Sequence, residues 1–259
     1  MKLIKLSLIL ITAALVSFTF IQRKPVLYII GDSTVKNGNG NPNNKQQGWG
    51  SWIYTDFDTM RISISNQAIG GRSSRTFLTE GRWTKVLETL QPGDYVLMQF
   101  GHNDSSPLDD TARARGTIRG IGNDSTEIYN PIRKMKEVVY SYGWYMRKFI
   151  NETKAKGAVA IVCSPIPRDN WKNGKLQRDS NGYALWSKQV AQQTGAYFID
   201  LHNSIADVYD TMDSASIKKL FPDDNTHTNK EGALINVQKV VEGIKGLSSC
   251  DLKNYVSNK

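Results

Sequence analysis

The strongest constraint on the fold of this chain is the alternation of short, continuous apolar segments with longer segments of helical character. Continuous apolar segments are typical of strands that are covered on both faces, and their alternation with helices is typical of a parallel sheet. The sequence therefore predicts an α/β fold with about five parallel strands. The predicted strands are Val26–Ile30, Ile62–Ala68, Tyr95–Phe100, Val159–Cys163 and Ala196–Asp200.

Helices are predicted between and after these strands. Pro92 and Gly93 follow the second of them, and Gly157 and Gly195 follow the next two, at positions where such residues commonly end a helix. Asn229 opens the last helical segment and is a favourable N-cap. The predicted helical segments are Trp49–Phe57, Trp83–Leu90, Tyr142–Lys156, Tyr183–Thr194 and Asn229–Lys245.

One long segment, Asp104–Val139, does not follow this alternation, because it is polar and irregular. A loop of this length within a domain is either functional or disordered. It leaves the carboxyl end of the third predicted strand, and open α/β sheets bind their ligands at that edge. We therefore expect an insertion that faces the substrate. Its charged side chains include Arg113, Arg115, Arg119, Asp109, Asp110 and Asp124.

Residues 1–22 have the pattern of an export signal. Lys2 and Lys5 supply a positive start, and Leu6–Ile21 is apolar and uncharged. This run is shorter than the roughly 20 residues that span a bilayer core, which favours a cleaved signal peptide over a retained anchor. We expect residues 23–259 to form a single domain in the periplasm or outside the cell, with no stable membrane insertion after cleavage. No oligomeric state is predicted.

The formal net charge of the chain is +9, which favours an acidic partner. Export argues against nucleic acid, so the expected partner is an anionic polysaccharide or an acidic cell surface. Charge that serves only solubility is the alternative.

The two cysteines, Cys163 and Cys250, are too few for a disulfide framework, and the sequence leaves open whether they are bridged. The His, Asp and Glu residues do not cluster with the spacing of metal ligands, so no metal is expected. The sequence also lacks a phosphate-binding loop and a dinucleotide fingerprint.

Three short polar segments follow directly from the first three predicted strands. The first, Gly31–Val35, has a glycine that permits a tight turn and exposes Ser33. The second, Ala68–Ser73, contains paired glycines that let a backbone amide approach a ligand and stabilise an oxyanion. The third, Gly101–Asp104, contains Asn103, whose side-chain amide can donate to the same oxyanion. Each segment alone is also compatible with an ordinary turn.

A fourth segment, immediately before the last helix, combines Asp224 with His227. A histidine three residues after an aspartate can donate its Nδ1–H to that carboxylate. This fixes the tautomer and leaves Nε2 free to take a proton from a serine. The chain has two other histidines: His102 is a weaker candidate for the base, and His202 is expected to be structural.

In their order and their positions at strand ends, the four segments resemble the signature blocks of the SGNH (GDSL-type) hydrolase superfamily. The resemblance extends from about Val26 to Lys245. Gly-Asp-Ser-Thr in place of Gly-Asp-Ser-Leu, together with Gly71–Ser73 and Asp224–Thr228, is similar to the rhamnogalacturonan acetylesterase branch. That branch removes acetyl groups from the galacturonate-containing backbone of pectin.

The resemblance implies a flavodoxin-like three-layer sandwich and a serine esterase that needs no cofactor. It implies a catalytic triad of Ser33, Asp224 and His227. It also implies an oxyanion hole made of the backbone amides of Ser33 and Gly71 and the side chain of Asn103. The substrate expected from it is an acetylated acidic polysaccharide or oligosaccharide, namely rhamnogalacturonan.

Contacts with the sugar are expected from Arg72 and Arg75, which can pair with a uronate carboxylate, and from Trp49, which can stack on a ring. A solvated basic face is the alternative for the two arginines. Acetylated xylan, acetylated peptidoglycan and lipid esters remain alternative substrates, although the polar insertion does not resemble the apolar lid of a lipid enzyme. A non-catalytic glycan-binding protein is the alternative of another class, and the presence of every triad and oxyanion residue argues against it.

Overall fold

A computed structural model describes residues 23–38 and 41–257, so the predicted signal peptide, residues 1–22, lies outside the described residues. Five strands form one parallel sheet in the order β2-β1-β3-β6-β9. The strands are β1 (Val26–Gly31), β2 (Ser63–Asn66), β3 (Tyr95–Gln99), β4 (Ser125–Asn130), β5 (Met135–Tyr140), β6 (Val159–Cys163), β7 (Trp171–Lys172), β8 (Lys175–Leu176) and β9 (Tyr197–Ile199).

Helices cover both faces of the sheet. They are α1 (Ser33–Lys36), α2 (Ser74–Thr79), α3 (Arg82–Thr89), α4 (Tyr142–Ala155), α5 (Tyr183–Thr194), α6 (Leu201–Tyr209), α7 (Ser214–Leu220) and α8 (Lys230–Gly246). The predicted N-cap of α8 is confirmed, because the Asn229 side chain accepts a hydrogen bond from the Gly232 amide at 3.0 Å. Within the described part of the chain, none of the helices combines the length and the apolar character of a membrane span.

The core consists of two apolar layers, one on each face of the sheet. Leu27 and Ile29 of β1 face the layer that contains α6 and α8, whereas Tyr28 and Ile30 face the layer that contains α4 and α5. Successive residues of a strand point to opposite faces, so a strand buried on both sides is apolar throughout. The predicted α/β sandwich with five parallel strands is confirmed.

The edge strands are shorter than predicted. The second predicted strand, Ile62–Ala68, is reduced to Ser63–Asn66, and the fifth, Ala196–Asp200, to Tyr197–Ile199. Each pairs with a neighbour on one side only, so fewer of its residues join a ladder.

The predicted helix Trp49–Phe57 is instead a pair of 3₁₀ turns, Trp49–Ser51 and Ile53–Asp56. This segment packs closely on α1, since a Cβ on Gly50 would lie 2.7 Å from Val35 Cγ1.

The insertion is more regular than the sequence analysis predicted. Its second half is an antiparallel hairpin formed by β4 and β5, in which Ser125 pairs with Tyr140. The prediction of an irregular segment up to Val139 is therefore wrong for this half. The two strands were not predicted because most of their residues are polar or exposed, so they lack the continuous apolar character used to recognise the other strands.

Cys163 and Cys250 are both buried and both carry free thiols, so the structure contains no bridge between them. Burial raises the pKa of the Cys163 thiol far above its usual range. Cys163 thus acts as a small apolar residue in the core.

Candidate active site

Ser33 lies where β1 ends and α1 begins, at the carboxyl edge of the sheet. The residue that precedes this turn, Gly31, has no room for a side chain. A Cβ on Gly31 would lie 2.7 Å from both the Gln99 carbonyl oxygen on β3 and Val35 Cγ2. Gly31 does not have a positive φ, so close packing against β3 and Val35, and not a left-handed backbone, explains the glycine.

Asp32 fixes the start of α1 and with it the backbone of Ser33. Its Oδ1 accepts hydrogen bonds from the Thr34 amide at 2.9 Å and the Thr34 hydroxyl at 2.7 Å. Its Oδ2 lies 3.2 Å from His102 Nδ1. Burial raises the pKa of this carboxyl, but the charge and hydrogen bonds of His102 and Thr34 outweigh it and leave the pKa below its ordinary value. The N-cap is therefore a buried carboxylate.

The structure brings Ser33, His227 and Asp224 into one hydrogen-bonded chain. His227 Nε2 lies 2.7 Å from Ser33 Oγ, although the two residues are 194 positions apart in the sequence. His227 Nδ1 lies 2.6 Å from Asp224 Oδ2. A serine that contacts an imidazole, oriented in turn by a carboxylate, has the geometry of an activated nucleophile.

Asp224 is held by its own loop. Its Oδ1 accepts hydrogen bonds from the amides of Thr226 at 2.7 Å and His227 at 2.8 Å. Partial burial raises the pKa of the Asp224 carboxyl, but the hydrogen bonds from His227 and Thr226 lower it further than burial raises it. The carboxylate therefore remains ionised near neutral pH and is placed to accept a hydrogen bond from His227 Nδ1.

Gly71 and Asn103, which carry the predicted oxyanion donors, line the same cavity as Ser33. A Cβ on Gly70 would lie 3.7 Å from Ser33 Cβ, which places the second polar segment against the serine. In the part of the chain that the structure describes, the Gly71 amide donates to no acceptor. Asn103 Nδ2 donates to the Arg72 carbonyl at 2.9 Å, which leaves its second N–H available. These groups can stabilise negative charge that develops beside Ser33.

Ser33 opens into a polar cavity of about 670 Å³. The predicted site residues on its wall are Ser33, Gly71, Arg72, Asn103 and His227. Asp224 lies behind His227. A smaller cavity of about 260 Å³ adjoins it and shares His102 and Arg168 with it.

The family model of the GDSL-like lipase/acylhydrolase family matches residues 29–235. The chain belongs to this family. It is a carboxylic-ester hydrolase, and the predicted SGNH superfamily is confirmed.

Two relatives and one solved structure are similar to this GDSL-like hydrolase. A rhamnogalacturonan acetylesterase of Emericella nidulans is 32% identical over 210 residues, which cover 81% of this chain and 80% of the relative. The probable rhamnogalacturonan acetylesterase YesY of Bacillus subtilis is 29% identical, with 85% and 93% covered. The crystal structure of YxiM from Bacillus subtilis superimposes with a TM-score of 0.70 at 24% identity. That alignment covers 88% of this chain and 58% of the YxiM chain, and it supports the fold.

Two residues predicted to contact sugar lie inside this GDSL-like hydrolase instead, so that prediction is wrong for both. Arg75 is fully buried, and its Nε lies 2.8 Å from Glu137 Oε1. Trp49 is fully buried as well, and its Nε1 donates to Gln99 Oε1 at 2.9 Å. The closeness of a residue in sequence to the polar segments does not determine the direction of its side chain. Arg72, in contrast, lies on the cavity wall.

The other two histidines have structural contacts. His102 Nδ1 faces Asp32, and its Nε2 lies 3.0 Å from the Ile166 carbonyl, so both ring nitrogens are engaged away from Ser33. His202 is buried, its Nε2 accepts from the Asp179 amide at 2.9 Å, and burial lowers its pKa. Both outcomes agree with the sequence analysis, which preferred His227.

Three arginines on the cavity wall were not predicted as site residues: Arg113, Arg115 and Arg168. Arg168 follows β6 closely, so the rule that ligands bind at the carboxyl edge could have identified it. Arg113 and Arg115 belong to the insertion that was expected to face the substrate. Within residues 23–38 and 41–257, no group of three or more His, Cys, Asp or Glu residues is placed to hold a metal ion.

Proposed function

We propose that this esterase removes O-acetyl groups from rhamnogalacturonan, with Ser33 as nucleophile, His227 as general base and acid, and Asp224 as the residue that orients His227. The proposal rests chiefly on the 2.7 Å contact between Ser33 Oγ and His227 Nε2, since a serine is a weak nucleophile until a base accepts its proton. It is supported by the two relatives that are named rhamnogalacturonan acetylesterases.

In the first half-reaction, His227 takes the Ser33 proton while Ser33 Oγ attacks the acetyl carbonyl carbon. The carbonyl electrons move to oxygen, and the amides of Ser33 and Gly71 and the side chain of Asn103 donate to this oxyanion. When the intermediate collapses, the bond between the acetyl carbon and the sugar oxygen breaks. The sugar oxygen takes the proton from His227 and leaves, so Ser33 is now acetylated.

In the second half-reaction, water replaces the sugar. His227 takes a proton from water, whose oxygen attacks the acetyl carbon of acetylated Ser33. The second oxyanion collapses, the bond between the acetyl carbon and Ser33 Oγ breaks, and Oγ takes the proton from His227. Acetic acid leaves and ionises to acetate in solution. Asp224 accepts a hydrogen bond from the Nδ1–H of His227 throughout and stabilises the transient imidazolium.

The charge of the cavity supports an acidic glycan. Its walls include four arginine side chains and one carboxylate, that of Glu80. Galacturonate in rhamnogalacturonan carries a carboxylate, whereas an unsubstituted xylan backbone is neutral. The polar walls are a poor match for the acyl chain of a lipid. The arginines are Arg72, Arg113, Arg115 and Arg168.

Export to the periplasm or the extracellular space is part of the proposal. The positive start and uncharged apolar run in residues 1–22 support it. A polymer as large as pectin does not cross a membrane intact, so an enzyme that acts on it is needed on the outer side.

The deciding experiment measures acetate release from acetylated rhamnogalacturonan and from acetylated xylan by the wild-type protein and by Ser33→Ala. We expect the wild type to prefer rhamnogalacturonan and the variant to release no acetate from either polymer. Preference for xylan would overturn the proposal that rhamnogalacturonan is the substrate. Wild-type rates in Ser33→Ala would overturn the assignment of Ser33 as the nucleophile. Circular dichroism checks that the variant is folded.

A further inference from the structure

The arginines of the cavity differ in what they already bind. Arg72 Nε lies 3.0 Å from Glu80 Oε2, so its charge is compensated. Arg168 donates to the Thr226 hydroxyl and, at 3.4 Å, to the His102 carbonyl. Both of these guanidinium groups therefore already donate hydrogen bonds within the protein.

Arg115 is also held in place. Its Nε donates to Ser106 Oγ at 3.0 Å, and its Nη1 donates to the Gly71 carbonyl at 3.0 Å. These partners are neutral, so the positive charge of Arg115 remains uncompensated by an ion pair. Burial lowers the pKa of Arg115, and the nearby Arg113 guanidinium lowers it further.

Arg113 stands apart from the others. Across residues 23–38 and 41–257, its guanidinium has neither a hydrogen bond nor an ion pair, although its backbone amide donates to Asp110. Its Nη1 lies 3.2 Å from the point that a Cβ on Gly71 would occupy. The free cation therefore projects to the same glycine whose amide is assigned to the oxyanion.

The turn that carries Arg113 is rigidly built. The Asp110 carboxylate accepts hydrogen bonds from the amides of Ala112 at 3.0 Å, Arg113 at 2.7 Å and Ala114 at 3.0 Å. Ala114 has a φ of 42°, in the left-handed region that is uncommon for residues with a side chain. This backbone lets the side chains before and after it, Arg113 and Arg115, reach the same cavity.

Among the described residues, neither Arg113 nor Arg115 forms an ion pair, so the two adjacent cations are well placed for an anion. A planar guanidinium with free donors suits a carboxylate, because the two groups can form paired hydrogen bonds. We propose that Arg113, supported by Arg115, binds the carboxylate of a uronate residue next to the acetylated sugar and thereby determines specificity for acidic glycans. This inference rests on the proposed function and names the residue that recognises the acid.

The first test uses an acetylated rhamnogalacturonan oligosaccharide with free carboxylates and the same compound with its carboxylates converted to methyl esters. For the wild type, we expect kcat/KM for acetate release to be about tenfold to a hundredfold higher on the free acid, the range for a hydrogen bond to a charged group. In Arg113→Gln this preference should disappear. Arg113→Gln that keeps the wild-type preference would overturn the inference.

Arg119→Gln is the matched control, since Arg119 is an exposed arginine of the same insertion that stacks on Trp186 away from the cavity. It removes the same charge and should keep the wild-type preference. An equal loss of preference in both variants would show a general charge effect and contradict a specific site. Arg113→Lys should restore part of the preference, because it restores the charge without the planar fork.

A second test does not depend on the natural substrate. Digalacturonate should inhibit hydrolysis of 4-nitrophenyl acetate competitively in the wild type and in Arg119→Gln, and its inhibition constant should rise about tenfold or more in Arg113→Gln. Equal inhibition of all three proteins, or none, would overturn the role of Arg113. If the wild type releases no acetate from rhamnogalacturonan, the proposed function fails, and the inhibition constants still decide whether Arg113 binds a uronate.

Discussion

Arg75 Nε lies 2.8 Å from Glu137 Oε1, and both side chains are buried. The ion pair joins α2 to the hairpin of the insertion. Arg75 Nη1 also donates to the carbonyls of Leu108 at 2.7 Å and Gly116 at 2.9 Å. One side chain thus anchors three parts of the segment that carries Arg113 and Arg115 to the α/β core.

Removal of one partner of this pair should be strongly destabilising. Arg75→Met leaves the Glu137 carboxylate buried without its main partner, and we expect a loss of about 3–5 kcal/mol in the free energy of unfolding. Urea unfolding followed by circular dichroism measures it. Lys136→Ala, which removes an exposed ion pair with Glu127 on the same hairpin, is the control and should change stability little. A small, equal loss in both variants would show that the buried pair is not an anchor.

Asn103→Ala should lower kcat for a chromogenic acetate ester by roughly 10²–10³, the usual cost of one oxyanion donor. KM should change much less, because the donor acts on the charge that develops in the transition state. Asn254→Ala, an exposed asparagine outside the cavity, serves as the control. A loss of less than about threefold in Asn103→Ala would remove Asn103 from the oxyanion hole.

Asp224→Asn should lower kcat by up to about 10⁴ while leaving the fold intact. An asparagine side chain can donate a hydrogen bond to His227 Nδ1, which favours the tautomer that carries its proton on Nε2. In that tautomer, Nε2 can no longer accept the proton of Ser33. Steady-state kinetics with a chromogenic acetate ester, together with the thermal unfolding curve, measure both effects. Near-wild-type kcat would mean that His227 does not depend on this carboxylate.

Stability should depend on pH through the buried carboxyl of Asp104. Burial raises the pKa of this group to about 7, although Ser74 donates to it through its amide at 3.1 Å and its hydroxyl at 2.5 Å. A folded pKa above the unfolded value of 3.8 means that Asp104 stabilises the fold below about pH 4 and loses that contribution as the pH rises to about 7.

Asp104→Asn should remove this dependence, since asparagine does not ionise. The free energy of unfolding of the variant, relative to that of the wild type, should rise between pH 4 and pH 7 with a slope of up to about 1.4 kcal/mol per pH unit. Urea unfolding at four or five pH values measures the slope. Parallel curves for the two proteins would contradict a raised pKa.

Features that depend on local sequence were predicted well. The strands β1, β3 and β6 were recognised because strands buried on both faces are apolar throughout. The loop containing Asp224 and His227 was recognised because its hydrogen bonds join residues only three positions apart. The pairing of Ser33 with His227 spans 194 positions, and it was inferred from the resemblance of the segments to a known family.

The sequence by itself determined the layered sheet, the order of the polar segments and the residue types available at its carboxyl edge, because periodicity and short-range spacing are properties of the chain. Only the tertiary structure decided which arginines reach the cavity. Arg75 is three residues from Arg72, yet its side chain is buried in the core, whereas Arg113 comes from a distant insertion and lies on the wall of the cavity that contains Ser33. The direction of a side chain depends on what packs around it, and those neighbours are set by contacts between segments far apart in the chain.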